Sequence, residues 1–295
     1  MRILLIGRTG QLGGDLIRNN SSHELIAPDR KVLDIARPEQ VRAVLGDHRP
    51  DLVINCAAFH NVPLCEQRPD EAFLINCVAI RDLALACRVV DARLVTFSSD
   101  YVFDGASQRP YLEDDLPGPL QIYGITRLAG EHAALAAAPE HAMVVRTCGL
   151  YGVSGAQSKG GNFVDGRVAD ARAGRTIEMA MEQVIAPTST DDLSKAVHEL
   201  IGLPTFDPGI YHLVNEGQCS WYELTVAIVK ILGLSTKVIP VDRGGITGSM
   251  RRPLYSVLSN QRARGLGIVL PHWKDALERY LCVKHATGSV AGTAG

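Results

Sequence analysis

The chain has 295 residues and a formal net charge of -2, so we expect one large domain, or one domain with a smaller lobe. Apolar residues make up 46% of the chain and glycine fills 28 positions, which is typical of a packed α/β protein rather than a disordered chain. The small net charge gives no basic footprint for nucleic acid or an anionic membrane, so neither partner is expected.

Short apolar runs alternate with helical patterns through the first half of the chain. The predicted strands are residues 2–6, 23–27, 51–55, 93–97 and 143–147, and the predicted helices are residues 13–20, 38–48, 70–90 and 123–138. Alternation at this spacing predicts βαβ units and an α/β fold with a doubly wound parallel sheet of Rossmann type. Residues 1–150 are therefore predicted to be an NAD(P)-binding Rossmann domain.

The pattern loosens after about residue 150. A Gly/Ser-rich loop is predicted at 152–162, helices at 162–173, 190–202, 220–233 and 271–281, and a strand at 209–214. We interpret residues 151–282 mainly as a smaller C-terminal substrate-binding lobe over the carboxyl ends of the sheet, with one segment able to return to that sheet. Residues 283–295 show no periodicity and are predicted to be a disordered tail.

The seven cysteines are scattered without a CxxC pair. Their pattern predicts reduced thiols in a cytoplasmic protein. The apolar start "MRILLIG" is too short for a secretion signal, and no stretch approaches the roughly 20 apolar residues of a membrane helix. The His, Cys and carboxylate residues show no metal-ligand spacing, so no metal is expected.

A glycine-rich turn follows the first predicted strand directly and opens a helix. Gly7, Gly10 and Gly13 of "GRTGQLGG" have the spacing that allows a tight turn, close approach of a pyrophosphate and close helix–strand packing. Gln11 and Leu12 lie in the same turn, where free N–H groups favour phosphates. This context predicts a dinucleotide site.

The second predicted strand leads into "APDRK". Asp29 is placed to bond an adenosine ribose, which favours NAD, whereas Arg30 could hold a 2′-phosphate, which favours NADP. The choice of NADP(H) or NAD(H) stays open, with a slight preference for NADPH because Lys31 follows Arg30. Candidates to line the ribose and nicotinamide side are the small residues of "INCAA", namely Asn55, Ala57 and Ala58.

Two further segments indicate carbonyl reduction. Ser99 and Asp100 follow the strand at 93–97, at the edge where α/β sheets place their sites. Tyr123 could protonate a developing alkoxide if a positive charge lowers its pKa, and Arg127 lies one helical turn further on the same face. The Ser99 hydroxyl could orient the carbonyl.

Together these residues resemble the extended short-chain dehydrogenase/reductase superfamily and, within it, the dTDP-4-dehydrorhamnose reductases. The resemblance runs almost end to end, and "SSDYVFDG" and "RRPLYSVLSN" are its most specific segments. It implies that the glycine turn, Asn55, Ala57 and Ala58 contact the dinucleotide. It places Ser99, Asp100, Tyr123 and Arg127 at catalytic positions, and it places Tyr101, Asn162, Gln183 and Arg252 beside the sugar nucleotide.

Three positions depart from the family pattern. Arg127 stands where the family has lysine, "VPLCE" at 62–66 loses two charges, and Gly149 replaces a usual tryptophan. A guanidinium keeps its charge but cannot act as a deprotonating link in a proton relay. We therefore expect a reductase of reduced activity, acting on a different deoxysugar.

The resemblance implies hydride transfer from NAD(P)H to C4 of a dTDP-linked 4-keto-6-deoxysugar, with Tyr123 as proton donor. The alternative is a non-catalytic, NADP-binding regulatory subunit that resembles the β subunit of methionine adenosyltransferase. The altered substrate side favours that alternative, whereas Tyr123, Ser99 and Asp100 favour the enzyme. A homodimer is the default assembly of the class.

Overall fold

The computed structural model describes residues 1–154, 161–247 and 250–285. The strands are β1 Arg2–Ile6, β2 Glu24–Ile26, β3 Leu52–Asn55, β4 Arg93–Ser99, β5 Ala142–Thr147, β6 Leu150–Tyr151, β7 Ile177–Ala180, β8 Val184–Ile185, β9 Thr188–Ser189, β10 Gly209–His212, β11 Cys219–Ser220, β12 Val238–Val241, β13 Ile246–Thr247 and β14 Met250–Arg251. The helices are α1 Gln11–Arg18, α2 Pro38–His48, α3 Val62–Gln67, α4 Pro69–Phe73, α5 Ala79–Val89, α6 Ile122–Ala137, α7 Phe163–Arg172, α8 Thr190–Ile201, α9 Trp221–Ile231, α10 Gln261–Gly265 and α11 Trp273–His285.

The central sheet has six strands in the order β10-β5-β4-β3-β1-β2, and every neighbouring pair is parallel. The predicted Rossmann-type α/β fold is therefore confirmed. Ile6 pairs with Asn55 and Ser99 pairs with Thr147, so the loops after β1, β3, β4 and β5 leave the sheet at one edge. The chain order reverses between β1 and β3, which is where such sheets bind ligands.

Helices cover both faces of this sheet. On one face α1 and α8 contribute Leu16 and Val197 to a buried core. On the other face α2, α5 and α6 contribute Leu45, Leu83 and Ala134. Strands covered on both sides read as nearly continuous apolar runs, which is why their positions were visible in the sequence.

The second half of the chain is divided between the sheet and a separate core. Helices α7, α9 and α11 pack around Val168, Ile228 and Leu277. Strand β10 pairs with β5, and α8 and α10 pack on the sheet with it. A parallel strand needs a crossover connection, and α8 lies in that connection. The return of a segment to the sheet is thus observed, while the division at residue 150 stays a prediction.

Several predicted bounds differ from the structure. The predicted helix 70–90 is α4, a π-helical turn at Leu74–Val78 and α5 in succession. Helix α11 continues to His285, so the predicted tail is wrong at residues 283–285, where Lys284 and His285 both bond the Asp165 carboxylate. Residues 286–295 of the tail and 155–160 of the predicted loop lie outside the described residues. Within the described part, no helix is long and apolar enough to cross a membrane.

Candidate active site

One cavity of about 1010 Å³ lies at the carboxyl edge of the sheet. Its walls come from the loops after β1, β3, β4 and β5 and from residues of the second half of the chain. The predicted site residues that line it are Gly7, Gly10, Gln11, Leu12, Gly13, Arg30, Asn55, Ala57, Ala58, Ser99, Asp100, Tyr101, Tyr123, Arg127, Asn162, Gln183 and Arg252. Residues that are far apart in sequence therefore line the same cavity.

The glycine turn forms one end of this cavity. Gly7 has a φ of +89°, a conformation that favours glycine, and a Cβ on Gly13 would lie 2.2 Å from the Gly7 carbonyl oxygen. Helix α1 begins after Gly10 without a side-chain cap. The first N–H groups of a helix have no partner within the helix, so this turn offers donors to an anion.

Two arginines, Arg8 and Arg30, line the cavity near the segment where the sequence predicted a ribose contact of Asp29. Arg8 and Arg30 both line the cavity, whereas Asp29 lies outside that lining, 3.6 Å from the Arg8 guanidinium. Arg30 Nε lies 3.1 Å from an Asp34 carboxylate oxygen. The predicted ribose contact of Asp29 is therefore not placed at the cavity, and Arg8 is a residue that the sequence analysis did not single out.

The loop after β3 is shaped by Asn55. Its amide oxygen accepts a hydrogen bond from the Ala57 backbone N–H at 3.1 Å, and its amide nitrogen donates to Thr96 Oγ1 at 3.3 Å. Asn55 thereby holds the small residues Ala57 and Ala58 at the cavity wall. Its own amide is occupied by the protein, so its role here is to shape the loop.

Ser99, Tyr123 and Arg127 come together where α6 begins. The Gln121 side chain accepts from the Gly124 N–H and caps the helix, and the Glu66 carboxylate accepts from the Ile122 N–H at 2.7 Å. Tyr123 and Arg127 then project from successive turns of α6 into the cavity.

Arg127 is buried, with 6% of its surface exposed. One guanidinium nitrogen lies 3.5 Å from the Asn76 amide oxygen, and its Nε has no hydrogen-bond partner among the residues that the structure describes. The Gln11 side-chain oxygen, at the other end of the cavity, also has no partner within the described part of the chain. Buried polar atoms of this kind need partners, so the cavity fits a polar ligand that runs along it, as a dinucleotide would.

The environment of Tyr123 keeps its phenol protonated. Burial raises the pKa of Tyr123, while the charge of Arg127 and a hydrogen bond with Ser99 act in the opposite direction. A protonated phenol beside a fixed cation can give up a proton to an oxygen anion and be stabilised as the phenolate. The arrangement suits protonation of an alkoxide.

Asp100 is buried in a network of neutral donors. One carboxylate oxygen accepts from Ser99 Oγ at 2.9 Å, and the other accepts from Ser256 Oγ at 2.6 Å and Cys148 Sγ at 3.1 Å. Burial raises the pKa of Asp100, and these three hydrogen bonds only partly offset it. Ser256 and Cys148 were not predicted as site residues, although Ser256 lies in the quoted family segment at 251–260.

Two of the predicted substrate residues, Arg252 and Asn162, form hydrogen bonds within the protein. Arg252 donates to the Tyr101 hydroxyl at 2.7 Å, and the Tyr101 ring stands edge-on to Tyr123, with the ring centroids 5.9 Å apart. Asn162 caps α7 by accepting from the Asp165 N–H, and its amide nitrogen donates to the Gly152 carbonyl and the Tyr280 hydroxyl. Asn162 therefore orders the wall of the cavity. Gln183 also lines it.

Two departures from the family pattern have local explanations. Gly149 has a φ of +55°, and a Cβ there would lie 3.2 Å from Ile185 Cδ1 and from Pro187 Cα. The backbone thus favours glycine over any larger residue. Residues 62–66 form most of α3, in which Val62 lines the cavity and Glu66 caps α6. Neither departure removes the cavity.

An aromatic pair in the second half was missed by the sequence analysis. Phe163 and Trp221 line the cavity with ring centroids 4.4 Å apart. Neither was singled out from the sequence, because a lone Phe or Trp at a helix start is usually a core residue. Among the described residues, no group of three or more His, Cys, Asp or Glu is arranged to hold a metal.

Comparison with known proteins agrees with this geometry. The chain is 37% identical over 282 residues to the spore coat polysaccharide biosynthesis protein SpsK of Bacillus subtilis, covering 95% of this chain and 96% of that protein. It is 36% identical over 280 residues to the dTDP-4-keto-6-deoxy-D-glucose reductase of Streptomyces niveus, covering 94% and 95%.

A solved structure is similar over the same length. The crystal structure of dTDP-4-dehydrorhamnose reductase from Bacillus anthracis in complex with NADP matches with a TM-score of 0.90 and 33% identity, covering 96% of this chain and 99% of that chain. The family model for the RmlD substrate binding domain matches residues 1–285. The chain therefore belongs to the RmlD substrate binding domain family.

Proposed function

We propose that this protein is an NADPH-dependent reductase of a dTDP-linked 4-keto-6-deoxysugar. The observation that carries the proposal is the meeting of Ser99, Tyr123 and Arg127 in the cavity that the glycine turn also lines. The substrate class comes from the names of two relatives, the Streptomyces niveus reductase and the Bacillus anthracis reductase, since each name gives a dTDP-linked sugar as the compound reduced.

The bound dinucleotide would supply a hydride to C4 of the sugar. The chain's own residues do the remaining work. The glycine turn binds the phosphates through backbone N–H groups, and the free Nε of Arg127 is placed to bond a ribose hydroxyl. Ser99 orients the carbonyl, Tyr123 donates a proton to the oxygen at C4, and the charge of Arg127 stabilises the phenolate left behind.

The cofactor preference follows from the adenosine side. Two guanidinium groups, Arg8 and Arg30, line that part of the cavity, while Asp29 lies outside it. Guanidinium groups bind phosphate strongly, so they favour the 2′-phosphate of NADPH over the bare ribose of NADH.

The regulatory-subunit alternative depended on an altered substrate side. The structure gives Gly149 a backbone reason and gives residues 62–66 a place in α3, so these departures do not indicate a lost site. The buried Ser99–Asp100 contact beside Tyr123 also survives, which a subunit freed from catalysis would not need. We therefore favour a catalytic reductase over a regulatory subunit.

The direct test is consumption of NADPH with a dTDP-4-keto-6-deoxysugar generated in situ, in the native chain and in Tyr123→Phe. We expect turnover in the native chain and a loss of roughly 10²–10⁴-fold in kcat for the variant, because the proton donor is gone. NADPH affinity should stay within about twofold in the variant. Equal turnover by both proteins would refute the role of Tyr123, and absence of turnover by the native chain would refute the function.

We also propose a homodimer and a cytoplasmic setting. Exposed apolar side chains lie on neighbouring helices at Phe73, Leu74, Val78 and Ile125, and a second copy could cover them. Among the described residues no disulfide joins any of the cysteines, as is usual in a reducing compartment. Light scattering should give a dimer mass for the native chain and a monomer for Leu74→Asp.

A further inference from the structure

The substitution at position 127 leaves a gap in the proton balance of the proposed reaction. Each turnover takes one proton from Tyr123 and leaves a phenolate, which must be protonated again before the next turnover. A lysine ammonium can release a proton and regain it, but a guanidinium stays charged at any pH at which a protein is folded. Arg127 can stabilise the phenolate without being the source of its next proton.

A different proton path is present on the other side of Tyr123. The Tyr123 hydroxyl hydrogen-bonds with the Ser99 hydroxyl, and Ser99 Oγ lies 2.9 Å from Asp100 Oδ1. The Tyr101 backbone N–H donates to Ser99 Oγ at 3.2 Å and holds that hydroxyl in place. Behind Asp100, Ser256 and Cys148 fix the second carboxylate oxygen. The path from carboxyl group to phenol is therefore continuous, and rotation of the Ser99 O–H bond turns its hydrogen from Asp100 towards Tyr123.

The surroundings of Asp100 allow its carboxyl group to hold a proton. Only 3% of Asp100 is exposed, and its side-chain contacts are two hydroxyls and a thiol, none of them cationic. The titratable groups that face it are Tyr101, Tyr123 and Cys148, all neutral at pH 7 in this environment. The neighbouring cations are engaged elsewhere, since Arg252 bonds the Tyr101 hydroxyl and Arg127 lies by Asn76.

We propose that Asp100 is the proton reservoir of this enzyme and that Ser99 relays its proton to the Tyr123 phenolate. The Asp100 O–H bond breaks, Ser99 accepts that proton while giving up its own, and the phenolate becomes a phenol. The Asp100 carboxylate is then protonated by a hydronium ion or buffer acid of the solvent that enters the cavity once the product has left, which supplies the one proton that each reduction consumes. No group is oxidised or reduced in these steps. The inference rests on the proposed reductase function and assigns Asp100 a role beyond contacting the sugar.

The test compares the first turnover with later ones in Asp100→Asn. Asparagine keeps the shape of the side chain but has no proton to give. The proton already on Tyr123 serves the first turnover, so we expect a rapid burst of about one NADPH oxidised per site, followed by a steady rate lowered roughly 10²-fold. Asp104→Asn, a carboxylate outside the cavity lining, serves as the matched control and should show no burst.

Arg127→Lys supplies the second arm. In that background the lysine offers its own relay, so the effect of Asp100→Asn on the steady rate should shrink to within about threefold, which is a coupling that a merely structural role would not give. The steady rate of the native chain should also fall as pH rises through the pKa of Asp100, and this fall should be absent from Asp100→Asn. An unchanged steady rate, or a first turnover slowed as much as later ones, would overturn the proposal.

A second variant covers the case in which Asp100→Asn does not fold. Ser256→Ala removes one donor to the carboxylate, which raises the pKa of Asp100 further, so the pH profile of the steady rate should move to higher pH while the first turnover stays unchanged. An unmoved profile would contradict the relay. These outcomes are separable from failure of the proposed function, because in that case the native chain oxidises no NADPH even in the first turnover.

Discussion

Arg127 is a buried side chain whose charge acts on the Tyr123 phenol. Its charge opposes the effect of burial on the Tyr123 phenol, and one of its guanidinium nitrogens makes a long hydrogen bond to the Asn76 amide oxygen. The unpartnered Nε leaves a donor for a ligand. At the scale of residues, arginine can therefore bind and polarise here, while the proton must come from elsewhere.

The two arginines at the adenosine side give a prediction about cofactor choice. Arg8→Ala and Arg30→Ala should each raise the KM for NADPH by roughly tenfold, because each loses a charge-assisted contact to phosphate worth about 1.5 kcal/mol. The KM for NADH should stay nearly constant. Lys31→Ala is the matched control, since Lys31 is adjacent in sequence but outside the cavity lining. A parallel change in both cofactors would show that these arginines do not read the 2′-phosphate.

Gly149 gives a prediction about stability. Gly149→Ala should lower the free energy of unfolding by roughly 1–3 kcal/mol, because an L-residue is forced to a φ of +55° against Pro187. Denaturant unfolding measures this change. Gly46→Ala is the control, since Gly46 lies within α2 with no atom near its Cβ position, and it should be stabilising by about 0.5–1 kcal/mol. Similar effects in both variants would contradict the conformational argument.

Strand β10 shows at the scale of elements how the second half is tied to the sheet. His212 lies at its end, fully buried, with its ring beside the Tyr111 carbonyl and the Arg146 guanidinium. Arg146 also forms a buried ion pair with Glu131 of α6. One edge strand thus connects the chain's second half to the helix that carries Tyr123.

This strand gives a pH prediction. Burial, assisted by the charge of Arg146, lowers the pKa of His212 from 6.5 to about 3. The unfolded chain therefore binds a proton that the folded chain does not, and the folded state loses stability as pH falls from about 6.5 towards 3, by at most about 1.4 kcal/mol per pH unit.

The measurement is the free energy of unfolding across this pH range for the native chain and for His212→Gln. The variant has no such titration, so its stability should vary less with pH between about 6.5 and 4. His141→Gln, a partly exposed histidine paired with Asp91, is the control. If both variants matched the native slope, His212 would not be the group responsible.

Elements with strong periodicity were predictable, and those set by tertiary contacts were not. The buried strands and the helix at 38–48 were read within two residues of their observed bounds. The π-helical turn inside the predicted helix 70–90 was not, because its extra residue places Asn76 against Phe59 and Thr126, which are distant in sequence. Helix α3 was not predicted, because its six residues are too few to show a helical period.

The same distinction holds for the whole molecule and its cavity. The glycine turn and Ser99 could be assigned to the cavity from the sequence, because each follows the carboxyl end of a parallel strand. Tyr123 and Arg127 could be assigned to it because residues four apart lie on the same face of a helix. Arg8, Cys148 and Ser256 could not be predicted, since their approach depends on how loops and the second half fold back. The ion pair of Asp29 with Arg8 could not be predicted either, because it is a tertiary contact, and the ribose contact of Asp29 stays a prediction.

The most direct test of the role of Arg127 compares the native chain, Arg127→Lys and Arg127→Met in reduction of a dTDP-4-keto-6-deoxysugar by NADPH. We expect turnover in the native chain, retained turnover with lysine, and a loss of roughly 10²-fold or more with methionine, which keeps the length and removes the charge beside Tyr123. Methionine turnover equal to that of the native chain would contradict the role of Arg127. An inactive native chain that still binds NADPH would contradict the reductase itself.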